Sequence, residues 1–411
     1  MGQEVLGTLA PSNLRGVTTG AGLLTNLSAT GLAVLARTDP ALASKIADLD
    51  PVQARDWWAG LTESERGALI DAMPAIVGNL EGLPYGDRDT ANRIWLDQQY
   101  EEASEHLKER GTRASAADRE RVDALEAILA TLNPDQVSSE RFLISLTSDR
   151  PPLAAVSIGN LDAADNATWA VPGMGSSAES LSDWARASEN LLLAQEIADP
   201  NRTHAVVAWV GYEAPPVGPF EVLSSDKAEA GAANLNRALV GFNAARPGID
   251  LNVVAHSYGT TTASIALAQT TAHVDSYAMI GSAGLPPEID EASDLQAEHV
   301  YAGQARNAIL GDPAGGDKWA WLGRDFGDHP VDPSKDGFGA DVFGVDSGSG
   351  GAPTTDHEAT PEVGNGYLDQ ATESVRNLAW ATTGQGDQMT EPITHGPTVY
   401  EQMLRAAIMN G

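Results

Sequence analysis

The sequence predicts an α/β fold: a mostly parallel, doubly wound sheet preceded by a helical domain. Three observations carry this. After residue 140, short runs rich in Val, Ile, Ala and aromatics recur, among them "LAAVSIG", "HAVVAWVG" and "LNVVAHS". Several are separated by helix-compatible stretches such as "ESLSDWARASENLLLAQEI". Before residue 140 the texture is helical. Strands alternating with helices imply parallel neighbours, because a parallel pair needs a crossover long enough to hold a helix. Ligands then sit at the C-terminal ends of the strands.

Residues 1–140 are expected as a helical domain packed on the rest. "PVQARDWWAGLTESERGALIDAM", "DTANRIWLDQQYEEASEHLKER" and "SAADRERVDALEAILATL" carry its helices, and "GNLEGLPYGDRD" reads as turn. In the third run Val122, Leu125, Ile128 and Leu129 recur at helical spacing with charge opposite. Pro51 suits a helix start. Trp57 and Trp58 read as core packing with one ring partly exposed. Residues 141–411 then hold the sheet: "RFLISLT", "LAAVSIG", "ATWAVPG", "HAVVAWVG", "LNVVAHS", "SYAMIGS" and "HVYAGQA", with "GADVFGVD" as the last strand. The stretch 311–366, rich in Gly, Asp and Pro, reads as a long loop excursion over the ligand face.

Composition narrows the function. The chain has 411 residues, 42% of them hydrophobic, enough for a sizeable core. A formal charge of −32, from 57 acidic against 25 basic residues, argues against nucleic acid or anionic membranes as partners. With no cysteine, thiol catalysis and disulfides are excluded. No HExxH pattern exists and the histidines are dispersed, so neither a metal nor another cofactor is expected. The N-terminal stretch lacks a basic leader into a clean apolar run and is too polar to span a bilayer. The expectation is a cytoplasmic protein, or one exported without a cleaved signal.

The most informative stretch is Ala255-His256-Ser257-Tyr258-Gly259. It lies between the β-branched run "LNVVA" and the Pro-free run after Gly259. Small-x-Ser-x-Gly between strand and helix is a relaxed nucleophile elbow: small residues let strand and helix approach while the serine is thrust out. A serine hydroxyl attacks only when a histidine takes its proton, and an acid fixes that histidine's tautomer. In α/β-hydrolases the order is Ser, acid, His. His357, in the loop beyond the last strand, is favoured over His395, and over His273, His299 and His329. His204 and His256 read as packed or turn residues. For the acid, Asp312 is preferred; Asn307 lies closer to the strand end but lacks charge, and Asp317 ranks third. An oxyanion hole is expected from the backbone N–H of Tyr258 and of Met174, in the Gly-flanked turn "VPGMGS".

Several stretches carry a resemblance: "WWAGLTESERGALIDAMPAIVGNLEGLPYGDRDTANR", "VPGMGS", "VVAWVGYEAPP", "VVAHSYGTTTA" and "GNGYLDQATESVRNLA". Together they span most of residues 50–380. The chain resembles the actinobacterial α/β-hydrolase family long catalogued as a domain of unknown function. That resemblance implies an α/β-hydrolase fold and a Ser–Asp–His triad, carried here onto Ser257, Asp312 and His357. Two features depart from the family pattern. The acid usually stands nearer its strand, and the histidine usually just precedes the aromatic of "GYLD", whereas "EATPEVGNG" separates His357 from Tyr367. The resemblance implies no substrate. The resulting expectation is a serine hydrolase acting on a small-molecule or lipid ester. The alternative is a non-catalytic binding module, and whether Asp312 can reach His357 decides between them.

Overall fold

The computed structural model describes residues 19–134, 139–216, 224–306 and 317–393, together with 399, 402, 403, 406 and 407. The N-terminal part is helical: α1 (Gly20–Asn26), α2 (Ala29–Thr38), α3 (Pro40–Ala43), α4 (Pro51–Ala59), α5 (Glu63–Ala72), α6 (Pro74–Val77), α7 (Tyr85–Arg110) and α8 (Ala116–Leu132). Local chemistry sets several starts. Asp50 caps α4 through the Val52 and Gln53 N–H groups, with Pro51 at the first helical position. Capping boxes open α5 (Thr62 with Glu65) and α8 (Ser115 with Asp118). Trp58 is buried and its indole donates to Asp87 (2.7 Å), while Trp57 is half-buried against it.

One local expectation fails. "GDRD", read as turn, already belongs to α7. Its first N–H groups, of Tyr85 and Gly86, donate to the two oxygens of Asp162 at 2.9 and 2.8 Å. A distant carboxylate thus supplies the side-chain cap that Pro84 cannot, and adds its charge to that of Asp87 in the first turn.

Beyond them, the described residues form a sheet of eight strands: β1 (Arg141–Leu146), β2 (Ala154–Ile158), β3 (Asn166–Val171), β4 (His204–Val210), β5 (Asp250–His256), β6 (Ser276–Ile280), β7 (His299–Gly303) and β8 (Asp341–Val342). Their order is β1-β2-β4-β3-β5-β6-β7-β8. β2 runs antiparallel to both β1 and β4, and every later pairing is parallel. Helices α9 (Leu181–Ala198), α10 (Asp226–Ala245), α11 (Tyr258–Gln269), α12 (Lys318–Phe326) and α13 (Glu373–Ala381) accompany the sheet. The expected α/β-hydrolase architecture is therefore present.

Both faces of the sheet are buried, which is why its strands read as near-continuous apolar runs. On β4, Ala205, Val207 and Trp209 join α10 and α11 residues such as Leu235, Phe242 and Ile265 in one cluster. Val206, Ala208 and Val210 join Leu125, Leu191 and Leu378, from α8, α9 and α13, in the other. Each fully buried Val or Leu stabilises by roughly 1.5–3 kcal/mol before entropy is counted.

β1 is an edge strand, and the helical part covers it. Asn79 accepts from the Leu146 N–H (2.9 Å) and donates to the Leu146 carbonyl (2.8 Å). Asp89 accepts from Leu143 N–H (2.6 Å) and Asn92 donates to Leu143 O (3.0 Å). These side chains stand in for a neighbouring strand and satisfy groups that would otherwise template aggregation.

Candidate active site

Ser257 sits between β5 and α11, with φ 55° and ψ −128°. A non-glycine residue there costs on the order of 1–3 kcal/mol, so its surroundings must enforce it. They do: Ser257 N–H donates to Ile280 O (3.0 Å), and Ser257 O accepts from Ala283 N–H (3.3 Å) and the Thr260 hydroxyl (2.7 Å). Gly259 is needed for closeness, since a Cβ there would lie 2.4 Å from Pro172 O. The elbow expected from the sequence is thus present as a geometry.

His357 lies in the irregular chain after β8, where regular structure cannot hold it. Its ring is fixed from both ends: Nε2 is 2.8 Å from Ser257 Oγ and Nδ1 is 2.6 Å from Asp317 Oδ1. An ionised carboxylate only accepts, so Nδ1 carries the proton and Nε2 presents its lone pair to the serine hydroxyl. The backbone is held too. His256 Nε2–H donates to the His357 carbonyl (2.6 Å), with the two rings 4.8 Å apart. Burial, then the neighbouring His357, pushes the His256 titration down to about 3, so it is a neutral strut. The inserted "EATPEVGNG" closes on itself, with Tyr367 N–H donating to Glu358 O (3.2 Å) and Leu368 N–H to Ala359 O (2.8 Å). That closure returns Tyr367 to the histidine's neighbourhood despite the insertion.

The carboxylate on the His357 ring is that of Asp317, third among the candidates; Asp312, the preferred acid, lies outside the described residues, as do Asn307 and His395. Although Asp317 comes well after β7 ends, its N–H donates to Arg306 O (2.8 Å), which brings it back to that strand end. It is also the N-cap of α12, with Oδ1 accepting the Ala320 N–H at 3.0 Å. Its other oxygen accepts the Tyr367 hydroxyl proton (2.5 Å). Burial alone would raise this carboxyl; His357, Tyr367 and the Ala320 N–H outweigh it and hold it below the ordinary range. Sequence reasoning ranked Asp317 low on distance from the strand. The missed signal is that it immediately precedes the helical run "KWAWLGRDF", as an N-cap does.

Tyr258 supplies the first N–H of α11, which has no intrahelical acceptor. On the other side, the turn after β3 brings Gly173 against the serine: a Cβ there would sit 2.6 Å from Ser257 Cβ. The turn is pinned by Gly175 N–H donating to Pro215 O (2.7 Å), and Met174 lies between these glycines. The other histidines stand elsewhere. His273 and His299 are exposed at the opposite, N-terminal ends of the strands, and His329 is buried with Nδ1 on Ala283 O (2.9 Å). Among the described residues, one cluster could hold a cation: His273, Asp275 and Glu298, on that opposite end.

Ser257 and His357 open into a cleft of about 810 Å³. Met174, Trp184, Trp319, Ala359 and Val363 give it apolar wall, while Asp183, Asp356, Glu358 and Glu362 stand around it. Arg186, also lining the cleft, is 3.3 Å from Asp183 and bonded to Thr360. The stretch 311–366 is therefore more than a surface excursion: its described residues include β8, α12, the buried Trp321 and both partners of the serine's hydrogen-bond chain. No helix among the described residues is long and apolar enough to cross a membrane.

Comparison with known proteins agrees with this architecture. A family model described as alpha/beta hydrolase matches residues 149–315. An uncharacterized protein of Mycobacterium tuberculosis is 28% identical over 371 residues, covering 81% of this chain and 55% of its own length. The chain thus spans about half the length of that relative. An uncharacterized protein of Mycobacterium bovis is 31% identical over 197 residues, covering 45% of this chain and 71% of its own. Among solved structures, an arylesterase matches at 13% identity and TM-score 0.33, covering 72% of this chain and 97% of its own. An esterase from Mycobacterium marinum matches at 14% identity and TM-score 0.29, covering 82% and 92%. The strand order, the family model and the mycobacterial relatives lead to one assignment: the chain belongs to an α/β-hydrolase family.

Proposed function

We propose that the protein is a serine hydrolase that cleaves a carboxylic ester through an acyl-enzyme on Ser257. The observation that carries this is the continuous hydrogen-bond chain Ser257–His357–Asp317, at 2.8 and 2.6 Å, opening into a cleft. Ser257 Oγ attacks the ester carbonyl carbon while its proton passes to His357 Nε2. Asp317 holds the ring and offsets the imidazolium charge. The oxyanion is received by the Tyr258 and Met174 N–H groups. Collapse expels the alcohol, which takes the proton from His357. Water then repeats the cycle on the acyl-enzyme and releases the acid, leaving Ser257 protonated again. No cofactor enters this scheme. The cleft lies within the size range of small-molecule sites, and its wall suits an apolar acyl or alcohol group. Its carboxylates oppose an anionic one. The binding-module alternative rests on a misplaced acid and the long 311–366 excursion; the Asp317 carboxylate 2.6 Å from the His357 ring supports the hydrolase reading instead.

The test is labelling with a fluorophosphonate probe, together with turnover of p-nitrophenyl esters of increasing chain length. The wild type should label and turn over, with neutral esters preferred to carboxylate-bearing ones. Ser257→Ala should neither label nor turn over above roughly 10⁻³ of wild type while remaining folded. A folded, pure Ser257→Ala variant with unchanged turnover would refute the assignment.

A further inference from the structure

The acid has an unusual support, and it comes from the chain beyond the histidine. Asp317 and Tyr367 are both fully buried. The Tyr367 hydroxyl oxygen accepts the Ala305 N–H at 2.8 Å. Since that contact uses an oxygen lone pair, the single hydroxyl proton is free for Asp317 Oδ2, 2.5 Å away. The direction of the bond is therefore fixed. Ala305 stands just past the end of β7, where an acid nearer its strand would be anchored by the strand itself. Here Asp317 comes later in the sequence, and Tyr367 ties it back to that strand end. Without this donor, Oδ2 would be a buried carboxylate oxygen lacking its partner, and the carboxylate could rotate away from the His357 ring.

We propose that Tyr367 is a positioning residue for the hydrolytic reaction: its hydroxyl bridges Ala305 and Asp317 and so fixes the carboxylate that orients His357. This rests on the serine-hydrolase reading above. Tyr367 touches no substrate in this scheme and acts only through Asp317, which makes two consequences distinctive. Loss of the hydroxyl should lower kcat and leave KM alone, and the loss should vanish once the carboxylate's charge is gone.

The experiment is steady-state ester hydrolysis by Tyr367→Phe, Asp317→Asn and the double variant, with Ser257→Ala as control and circular dichroism to confirm folding. Tyr367→Phe should lose roughly ten- to a hundredfold in kcat, the size of one charge-assisted hydrogen bond, with KM within about twofold. In the Asp317→Asn background the same change should cost less than about threefold. If Tyr367→Phe does not fold, 3-fluorotyrosine replacement provides the second test. It strengthens the hydroxyl as a donor and should change kcat in the wild type but not in Asp317→Asn. A folded Tyr367→Phe with wild-type kcat, a loss confined to KM, or the full loss persisting in Asp317→Asn overturns the inference. So does an unchanged kcat on fluorotyrosine replacement. An active Ser257→Ala control would instead overturn the underlying function, so the two failures are distinct.

Discussion

Replacing Asp317 by Asn removes one charge and almost no volume, and its contacts dictate the outcome. Oδ1 faces two donors, the His357 Nδ1–H and the Ala320 N–H; Oδ2 faces the Tyr367 hydroxyl. An amide offers one accepting oxygen and one donating NH₂. Turning NH₂ toward Oδ1's place sets it against two donors. Turning it toward Tyr367 costs only that hydroxyl's donated bond, so this orientation wins. His357 therefore keeps its proton on Nδ1 and its lone pair toward Ser257. What disappears is the negative charge beside the imidazolium. Where the equivalent swap also forces the wrong tautomer, turnover falls by ~10⁴. With the tautomer kept, the loss in kcat should be roughly 10²–10³, or about 3–4 kcal/mol of transition-state stabilisation, with KM little changed. Stability should fall by about 1–3 kcal/mol, because the Tyr367 proton loses its buried acceptor. Ester hydrolysis with urea unfolding alongside measures both. Asp312→Asn should be nearly silent in the same assays. A loss under tenfold for Asp317→Asn, or a crippled Asp312→Asn, would show that the acid has been wrongly placed.

Two further predictions concern stability. His256 is held neutral, its titration lowered from the ordinary 6.5 to about 3, so below pH 6.5 the unfolded chain binds a proton that the folded one refuses. Stability is therefore full above about 6.5 and falls as pH drops toward 3, by at most on the order of 5 kcal/mol, with the lowered Asp317 carboxyl adding a loss of the same sign at its low end. Urea unfolding across this range should show the slope, and His256→Gln, whose NH₂ can still donate to the His357 carbonyl, should flatten it; an unaltered slope would point to other groups. A fragment beginning at Arg141 should aggregate, because it strips β1 of the Asn79, Asp89 and Asn92 contacts that cover its edge. Its recovery as a soluble, cooperatively unfolding protein would mean that the helices are dispensable to the sheet.

What is legible in the sequence follows how locally each feature is determined. The strands are readable because burial on both faces makes each a compact apolar run. The elbow is readable because strand, small residues, serine and helix are contiguous. His357 can be found by position even though β8 is only two residues long, since it follows the last strand. Asp317 cannot be found that way, because "RNAILGDPAGGDK" offers an amide and two aspartates of similar standing. Strand proximity favours the earlier ones. A backbone bond from Asp317 to Arg306 instead brings the later aspartate to the strand end, and that aspartate is a helix cap. Capping chemistry is local, so it was the better guide: an N-cap aspartate is already oriented by its helix, and burying its second oxygen needs only one more donor. That donor, Tyr367, and the edge-covering Asn79 and Asn92 belong to a different class. Each is a polar residue whose partner lies 50 or more positions away. In a sequence, such a residue looks no different from one that faces water. Hydrophobic periodicity says which face of an element is buried, but it does not say which polar group on that face has been given a partner.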